Sequence, residues 1–249
     1  MEPSMITSSF TAFALEPFPT IKPGEDLAEA ITTVMQAQDV TLHDGDVIVV
    51  ASKAVSTSEN RRVDLTTVTP SAEALDLSAR TGKPAEVVQL ILDESDEHFV
   101  VGAHGPIIAR HRLGLQLTAA GVDRDGPDAA WLLPTDPDSS ARALRDSLAA
   151  ATGITVAVVI ADSDGRADRR GATVLSIGAA GITPLRVTEH VEPDGGVKHQ
   201  EETLTDLVAA AAGLILGQRG RGAPVVVLRG VAYEPDNGGV RSMLHRRVP

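Results

Sequence analysis

The sequence contains no cysteine in its 249 residues, which excludes disulfides, thiolate metal sites and cysteine nucleophiles. Aromatic residues are also scarce, at 2% of the chain. Proteins that bind single-stranded nucleic acid stack the bases on aromatic side chains, so this scarcity argues against that function. The hydrophobic fraction is nevertheless 43%, which predicts a core built from alanine, valine, leucine and isoleucine.

Positive charge is in short supply as well. The chain carries 22 Lys and Arg against 34 Asp and Glu, a net charge of -12. An acidic surface repels nucleic-acid backbones and anionic lipids, so we expect neither as a partner, although a local basic pocket can still bind a small anion. The apolar run at 207–216 is too short to span a bilayer, and the N-terminal residues do not resemble a secretory signal. We therefore expect a cytoplasmic protein without membrane contact.

Strand-like and helix-like patterns are interleaved along the chain, which predicts a mixed α+β fold in a single domain over residues 1–249. Runs of β-branched residues predict strands at 46–52, 154–161 and 224–230. Capped periodic segments predict helices at 69–82, 84–95, 136–153 and 201–217. Residues 99–123 predict two or three strands with tight turns, residues 172–182 fit either element, and segments 123–130 and 192–197 have loop composition.

The segment VVIADSDGRADRRG (158–171) places Asp162, Ser163 and Asp164 at the end of an apolar strand. Three interpretations compete for it. A dehalogenase-type phosphatase uses such an aspartate as nucleophile, but it also needs later basic and acidic partners, and Lys198 is the one lysine that follows. A nucleotide-dependent ligase needs the carboxylate only as a metal ligand. In the third interpretation the aspartates merely cap a turn or helix. The residues disfavour the first and leave the other two open.

Six segments in series carry a resemblance to a known family. They are GDVIVVASKAVSTSENR (45–61), TVTPSAEALDLSARTGKPAEVVQLILDES (67–95), HRLGLQLTAAGVD (111–123), LLPTDPDSSA (132–141), IADSDGRADRRG (160–171) and PVVVLRGVAY (224–233). In this order they resemble the coenzyme F420-0:L-glutamate ligase family over nearly the whole chain. The resemblance implies an intertwined two-part α+β ligase fold that forms a homodimer, with the site near the dimer interface.

The resemblance also implies a reaction. In that family GTP phosphorylates a carboxylate of a deazaflavin cofactor precursor, F420-0, and the amine of L-glutamate attacks the acyl phosphate to form an amide bond. Phosphoryl transfer of this kind depends on a metal ion and basic groups that offset the developing charge. Mg²⁺ or Mn²⁺ is the implied metal, with K⁺ as a further candidate, and such hard cations bind oxygen ligands.

Matching the family's motifs residue by residue gives a set of candidate site residues. The metal-binding positions correspond to Asp123, Asp162, Ser163 and Glu201, with Glu189 as the alternative to Glu201. The nucleotide-contacting candidates are Phe18, Pro19, Thr20, Ile21, Ser52, Lys53, Thr57, Gly126, His199 and Gln200. Arg166 and Arg169 are the catalytic candidates, because arginines bind phosphate groups through paired hydrogen bonds. The structural alternatives are a turn residue at Asp123, a solvated charge at Lys53 and a helix N-terminal charge at Glu201.

Four positions depart from the family pattern. Its lysine, asparagine, tryptophan and glutamine are replaced here by Thr57, Gly126, Asp168 and Ala172. The positions that the resemblance assigns to the metal keep their oxygen-bearing side chains, whereas positions that it assigns to nucleotide and substrate are changed. Two alternatives to the F420-0 ligase therefore remain: a ligase of the same fold with another acceptor, such as a folate-like or peptide acid, and a degenerate, non-catalytic homologue that binds nucleotide or metal.

Overall fold

The computed structural model describes residues 9–101, 105–217 and 223–245. Its strands are β1 (Thr11–Ala14), β2 (Val47–Ala51), β3 (Arg62–Asp64), β4 (Ser95–Val100), β5 (Ile107–His111), β6 (Gln116–Thr118), β7 (Asp123–Asp125), β8 (Ala129–Trp131), β9 (Ala157–Gly165), β10 (Ala172–Ala180), β11 (Leu185–Val191), β12 (Val197–Thr203) and β13 (Val225–Arg229). Its α-helices are α1 (Leu27–Ala37), α2 (Ser52–Ser58), α3 (Ala72–Thr81), α4 (Ala85–Asp93), α5 (Pro137–Thr152) and α6 (Leu204–Leu216). The mixed α+β class is as predicted.

The main hydrophobic core surrounds a five-stranded sheet with the order β1-β13-β2-β9-β10. Its two central strands, β2 and β9, run parallel, and every other pair in the sheet is antiparallel. Residues 47–50 and 157–160 have no exposed surface, as expected for a continuous β-branched run in the middle of a covered sheet. Helices α5 and α6 pack against β9 and β10.

A second hydrophobic cluster is built from one contiguous stretch, residues 65–132. Helices α3 and α4 pack together there, beside the three-stranded sheets β3-β8-β7 and β4-β5-β6. This stretch lies in the chain between α2 and α5, both of which belong to the main core. The chain thus leaves the central sheet after β2, builds the second cluster, and returns to the sheet with β9.

The caps read from the sequence are present. Ser71 accepts a hydrogen bond from the Ala74 amide at 3.2 Å and so begins α3, and Asp136 accepts one from Ser139 at 3.0 Å at the start of α5. The same two helices end at Gly82 and Gly153, whose φ angles of 71° and 73° are left-handed and favour glycine.

The helix predicted from residue 201 was wrong at its start. Residues 201–203 complete β12, which pairs with β11 in an antiparallel hairpin, and α6 begins only at Leu204. Pairing between strands also decides the structure of three other segments. Residues 172–182 supply β10, and the stretch 123–130, which has loop composition, contains β7 and the start of β8. Strand β9 continues through its polar residues 162–164 to Gly165, because these residues pair with β10. Within the described part of the chain, no helix is long and apolar enough to cross a membrane.

Candidate active site

The parallel strands β2 and β9 bring two distant polar side chains together. Ala51 is paired with Ala161, so the residues that follow them, Ser52 and Asp162, lie side by side at the edge of the sheet where the parallel pairing ends. In α/β sheets this edge is where ligands bind, because the loops that leave parallel strands diverge there and open a crevice. The acidic motif at 162–164 therefore lies at the edge of the sheet where a ligand site is expected.

Asp162 is held in an unusual electrostatic environment. Burial raises the pKa of Asp162 to about 7, a hydrogen bond from the Ser52 hydroxyl at 2.5 Å acts in the opposite direction, and the negative charge of Asp123 raises the pKa further. A half-buried carboxylate with a second carboxylate nearby is stabilised when a cation binds between them.

Asp123 reaches this place through a turn in an uncommon backbone conformation. Ala119, Ala120 and Gly121 have φ angles of 52°, 50° and 68°, and two residues later β7 begins with Asp123. Left-handed φ angles are disfavoured for alanine, so the surrounding contacts must hold the turn. The second cluster thereby contributes one acidic side chain to a site whose other members belong to the central sheet.

A cavity of about 740 Å³ opens at this edge. The residues that line it and that were candidates on sequence grounds are Phe18, Pro19, Thr20, Ile21, Ser52, Lys53, Thr57, Asp123, Asp162 and Ser163. The fold thus brings together candidates from four separate stretches of the chain. Lys53 is exposed and supplies the cavity with a cation, whereas the Thr57 hydroxyl donates to the Lys53 carbonyl of its own helix at 2.7 Å.

The rest of the described lining was missed by sequence reasoning. It consists of Ala51, Ala54, Ala161, Val174, Leu216, Gly217, Ala223 and Pro224. These residues carry no reactive group, so no chemical motif marks them. Three of them adjoin the candidates on β2, α2 and β9. The other five lie at the end of α6, before β13 and on β10, and no sequence signal indicates that these elements converge on one cavity.

The oxygen atoms at the cavity suit a hard divalent cation. Asp123 and Asp162 offer carboxylates, and Ser163 a hydroxyl, among the residues that line it. Among the described residues no group of three or more His, Cys, Asp or Glu side chains is placed to hold a metal ion. Mg²⁺ is commonly bound by one or two carboxylates together with water and substrate phosphates, so two carboxylates and a hydroxyl fit a metal whose coordination a nucleotide completes.

The two catalytic candidates lie beyond the cavity lining. Arg166 and Arg169 follow β9 on an exposed turn. Arg169 contacts its neighbour Asp168 at 2.7 Å, and this hydrogen bond lowers the pKa of the Asp168 carboxyl. Asp168, which replaces an aromatic residue of the family pattern, thus neutralises one of the two guanidinium groups.

Four further candidates are also absent from the lining. Gly126 lies at the exposed turn between β7 and β8. His199, Gln200 and Glu201 lie on β12 of the exposed hairpin, where Glu201 pairs with Val187. The alternative third ligand, Glu189, lies opposite His199, and their side chains are 3.5 Å apart. Within this chain the hairpin therefore keeps both glutamates away from the two aspartates.

Comparison with known proteins gives a consistent result. Residues 17–230 match the family described as F420-0:Gamma-glutamyl ligase. A protein of Methanothermobacter thermautotrophicus named coenzyme F420:L-glutamate ligase is 37% identical over 239 residues, covering 94% of both chains. Proteins of the same name from Archaeoglobus fulgidus and Methanopyrus kandleri are each 37% identical, the first covering 88% of this chain and 87% of its own, the second 88% of both.

Proposed function

Because this chain belongs to the F420-0:γ-glutamyl ligase family, we propose that it joins L-glutamate to a carboxylate of the deazaflavin precursor F420-0 at the expense of GTP, as a step of coenzyme F420 biosynthesis. The observation that carries the proposal is the convergence of Ser52, Lys53, Asp123, Asp162 and Ser163 on one cavity. Relatives of the chain that are 37% identical to it over most of their length bear the name of such a ligase.

The reaction has two steps. A carboxylate oxygen of F420-0 attacks the γ-phosphorus of GTP, the bond to the leaving oxygen of GDP breaks, and an acyl phosphate forms. The amine of L-glutamate then attacks the acyl carbon, loses a proton and expels inorganic phosphate, which leaves an amide. In the first step negative charge is spread over the oxygens of the transferred phosphoryl group and develops on the leaving oxygen of GDP, so the residues around them act mainly by position and charge.

Each residue then has a defined task. Asp162, Asp123 and Ser163 would hold Mg²⁺ or Mn²⁺, whose charge offsets that of the phosphates. Ser52 orients the Asp162 carboxylate through its hydrogen bond. The segment 18–21 and Lys53 face the nucleotide from the other walls of the cavity. Arg166 and Arg169, on the turn after β9, bind anionic groups of the substrates, such as carboxylates or phosphates.

The homodimer remains part of this proposal. The hairpin β11–β12 exposes Val187, Val191 and Val197, each more than half accessible. Two-stranded hairpins are marginally stable by themselves, so a second protein surface over these valines would stabilise it. Light scattering of the purified protein distinguishes a dimer from a monomer.

The test is an incubation with F420-0, L-glutamate, GTP and Mn²⁺, read by mass spectrometry. We expect F420-0 to gain the mass of a glutamyl residue in a GTP-dependent way. Asp162→Ala should abolish the gain, whereas Asp76→Ala, at an exposed position on α3, should not change it. Folate-like and peptide acids in place of F420-0 form the parallel arm.

The outcomes separate the alternatives. If glutamate is added to another acid but not to F420-0, the proposed acceptor is wrong and the proposed ligase activity stands. If no acceptor is modified with any nucleotide, the proposed activity is wrong and the chain is a non-catalytic homologue. Asp168 and Thr57 depart from the family pattern at positions that it assigns to substrate and nucleotide. The acceptor and the nucleotide are therefore the first components of the incubation to be varied.

A further inference from the structure

Asp164 has no place in the proposed chemistry, yet it is one of the few buried acidic residues, with 6% of its surface exposed. It lies two residues after Asp162 on β9 and therefore projects from the same face of the strand. It does not line the cavity. A buried carboxylate requires partners, and the hydrogen-bond donor to Asp164 lies on a different part of the chain.

The partner is Thr118, the last residue of β6. Its backbone amide donates to the Asp164 carboxylate at 2.7 Å, and its hydroxyl donates to the carbonyl of Gly165 at 2.8 Å. A Cβ at position 165 would lie 2.8 Å from that hydroxyl, so the close approach requires glycine there. The second carboxylate oxygen of Asp164 lies 3.9 Å from the Arg166 guanidinium.

Thr118 is the residue from which the left-handed turn departs. Ala119, Ala120 and Gly121 follow it directly, and Asp123 comes two residues after the turn. A Cβ at Gly121 would collide with the Leu133 side chain at 2.7 Å, so the turn is closely packed at its other end. The position of Thr118, together with the pairing of Asp123 with Trp131 on β8, therefore sets where Asp123 lies relative to Asp162.

We propose that Asp164 is a positioning residue: by accepting the hydrogen bond of the Thr118 amide, it fixes the start of the turn and sets Asp123 beside Asp162 on a divalent cation. The inference rests on the metal site of the proposed function. It assigns to Asp164 the role of a hydrogen-bond acceptor that acts through Thr118, without contact to the cation or the substrates. Partners of this kind typically change metal affinity about 10-fold to 100-fold when removed.

The first comparison separates the hydrogen bond from the charge. Asp164→Asn keeps an oxygen that accepts from Thr118 and removes the negative charge, whereas Asp164→Ala removes both. We expect Mn²⁺ affinity, measured by calorimetry with GDP present, to fall about tenfold or more in Asp164→Ala and to stay within about threefold of the unmodified protein in Asp164→Asn. Equal losses in the two variants would overturn the proposal, because the charge alone would then account for them.

The second comparison removes the donor and leaves Asp164 intact. Thr118 has a φ of -65°, which proline adopts, so Thr118→Pro removes the amide hydrogen with little change of backbone. Thr118→Val lacks the same hydroxyl but keeps the amide. We expect Thr118→Pro to lose Mn²⁺ affinity about as Asp164→Ala does and Thr118→Val to bind as the unmodified protein. Combining Thr118→Pro with Asp164→Ala should add little further loss, because both remove one hydrogen bond.

Circular dichroism and thermal melts of each variant establish that it is folded. If Asp164→Ala fails to fold, the matched pair at Thr118 decides the question. Similar affinities in Thr118→Pro and Thr118→Val would overturn the positioning role and leave the metal site standing. Failure of the unmodified protein to bind Mn²⁺ would instead overturn the metal site, and the role of Asp164 with it.

Discussion

Ser52 donates a 2.5 Å hydrogen bond to the Asp162 carboxylate, although 110 positions separate the two residues in the sequence. The parallel pairing of β2 with β9 makes this contact, since Ser52 and Asp162 directly follow the last paired residues of the two strands, Ala51 and Ala161. The bond favours the ionised form of a carboxyl that burial alone would keep protonated. Ser52 therefore influences at which pH Asp162 is available to a cation.

Replacing Ser52 with alanine should shift the pH dependence of metal binding. Without the bond the pKa of Asp162 rises above its value of about 7, and a metal ion binds only the ionised carboxylate. We expect the midpoint of Mn²⁺ binding against pH to move upward by about one unit, since a hydrogen bond to a charged group contributes about 1.5 kcal/mol. The control is Ser56→Ala, a buried position on the same helix, and an unmoved midpoint in Ser52→Ala would contradict the role.

Replacing Asp162 with asparagine should stabilise the metal-free protein, and more so at higher pH. A raised folded-state pKa means that the contribution of this carboxyl to stability is fully present below the unfolded value near 4 and is lost as pH rises through about 7. Asparagine does not titrate. The gain in unfolding free energy should therefore be small at pH 4 and reach an order of 2–4 kcal/mol at pH 8, by urea titration with chelator present.

Asp76→Asn is the matched control for that measurement, because Asp76 is exposed on α3. It should leave the stability nearly the same at both pH values. If the gain in unfolding free energy of Asp162→Asn does not grow between pH 4 and pH 8, the pKa of the Asp162 carboxyl is not raised.

Glu94 gives the opposite pH dependence. Burial by itself would raise its pKa, but the hydrogen bond with His111 and the charge of Arg112 outweigh it and leave the pKa below its usual value. Stability from Glu94 is thus present above its unfolded pKa and is lost as pH falls through the lower folded value. Glu94→Gln should cost about 1–3 kcal/mol at pH 7, and the difference from the unmodified protein should shrink as the solution is acidified.

The exposed Glu29 on α1 provides the comparison, and Glu29→Gln should change stability by less than about 1 kcal/mol. The measurement is the thermal midpoint of each variant at several pH values between 3 and 7. A cost of Glu94→Gln that is independent of pH would assign the effect to packing and not to charge.

Asp168 and Arg169 form an exposed ion pair, and we expect its removal to change substrate binding more than stability. Asp168→Asn should leave the melting temperature nearly unchanged, since exposed pairs contribute little to stability. It also frees the Arg169 guanidinium and removes a negative charge near the anionic substrates. We expect KM for GTP or for the acceptor to fall about twofold to fivefold with kcat less affected. Asp194→Asn, in the turn of the hairpin, should leave both constants unchanged, and an unaltered KM in Asp168→Asn would contradict a role for this pair.

Much of the fold could be predicted from local signals. Ser71 and Gly82 mark the two ends of α3 in the sequence, and Asp136 and Gly153 mark those of α5, because caps act within a few residues. Glu201 shows the limit of such signals. Its neighbours resemble the start of a helix, but the partner strand β11 extends the chain through Thr203. Pairing with residues elsewhere in the chain overrides local preference there, and one sequence does not display it.

The sequence by itself determined the chemistry available: no thiols, few aromatic rings, an acidic surface, and the aspartates and arginines of a resemblance that spans most of the chain. Tertiary structure decided which of these groups meet. It placed Ser52 and Asp123 beside Asp162, and it kept Arg166 and Glu201 out of the cavity lining. It also brought the Thr118 amide within hydrogen-bonding distance of the Asp164 carboxylate. The reason is physical, since side-chain types are local properties, whereas distances and pKa values depend on strand pairing and burial among residues far apart in the chain.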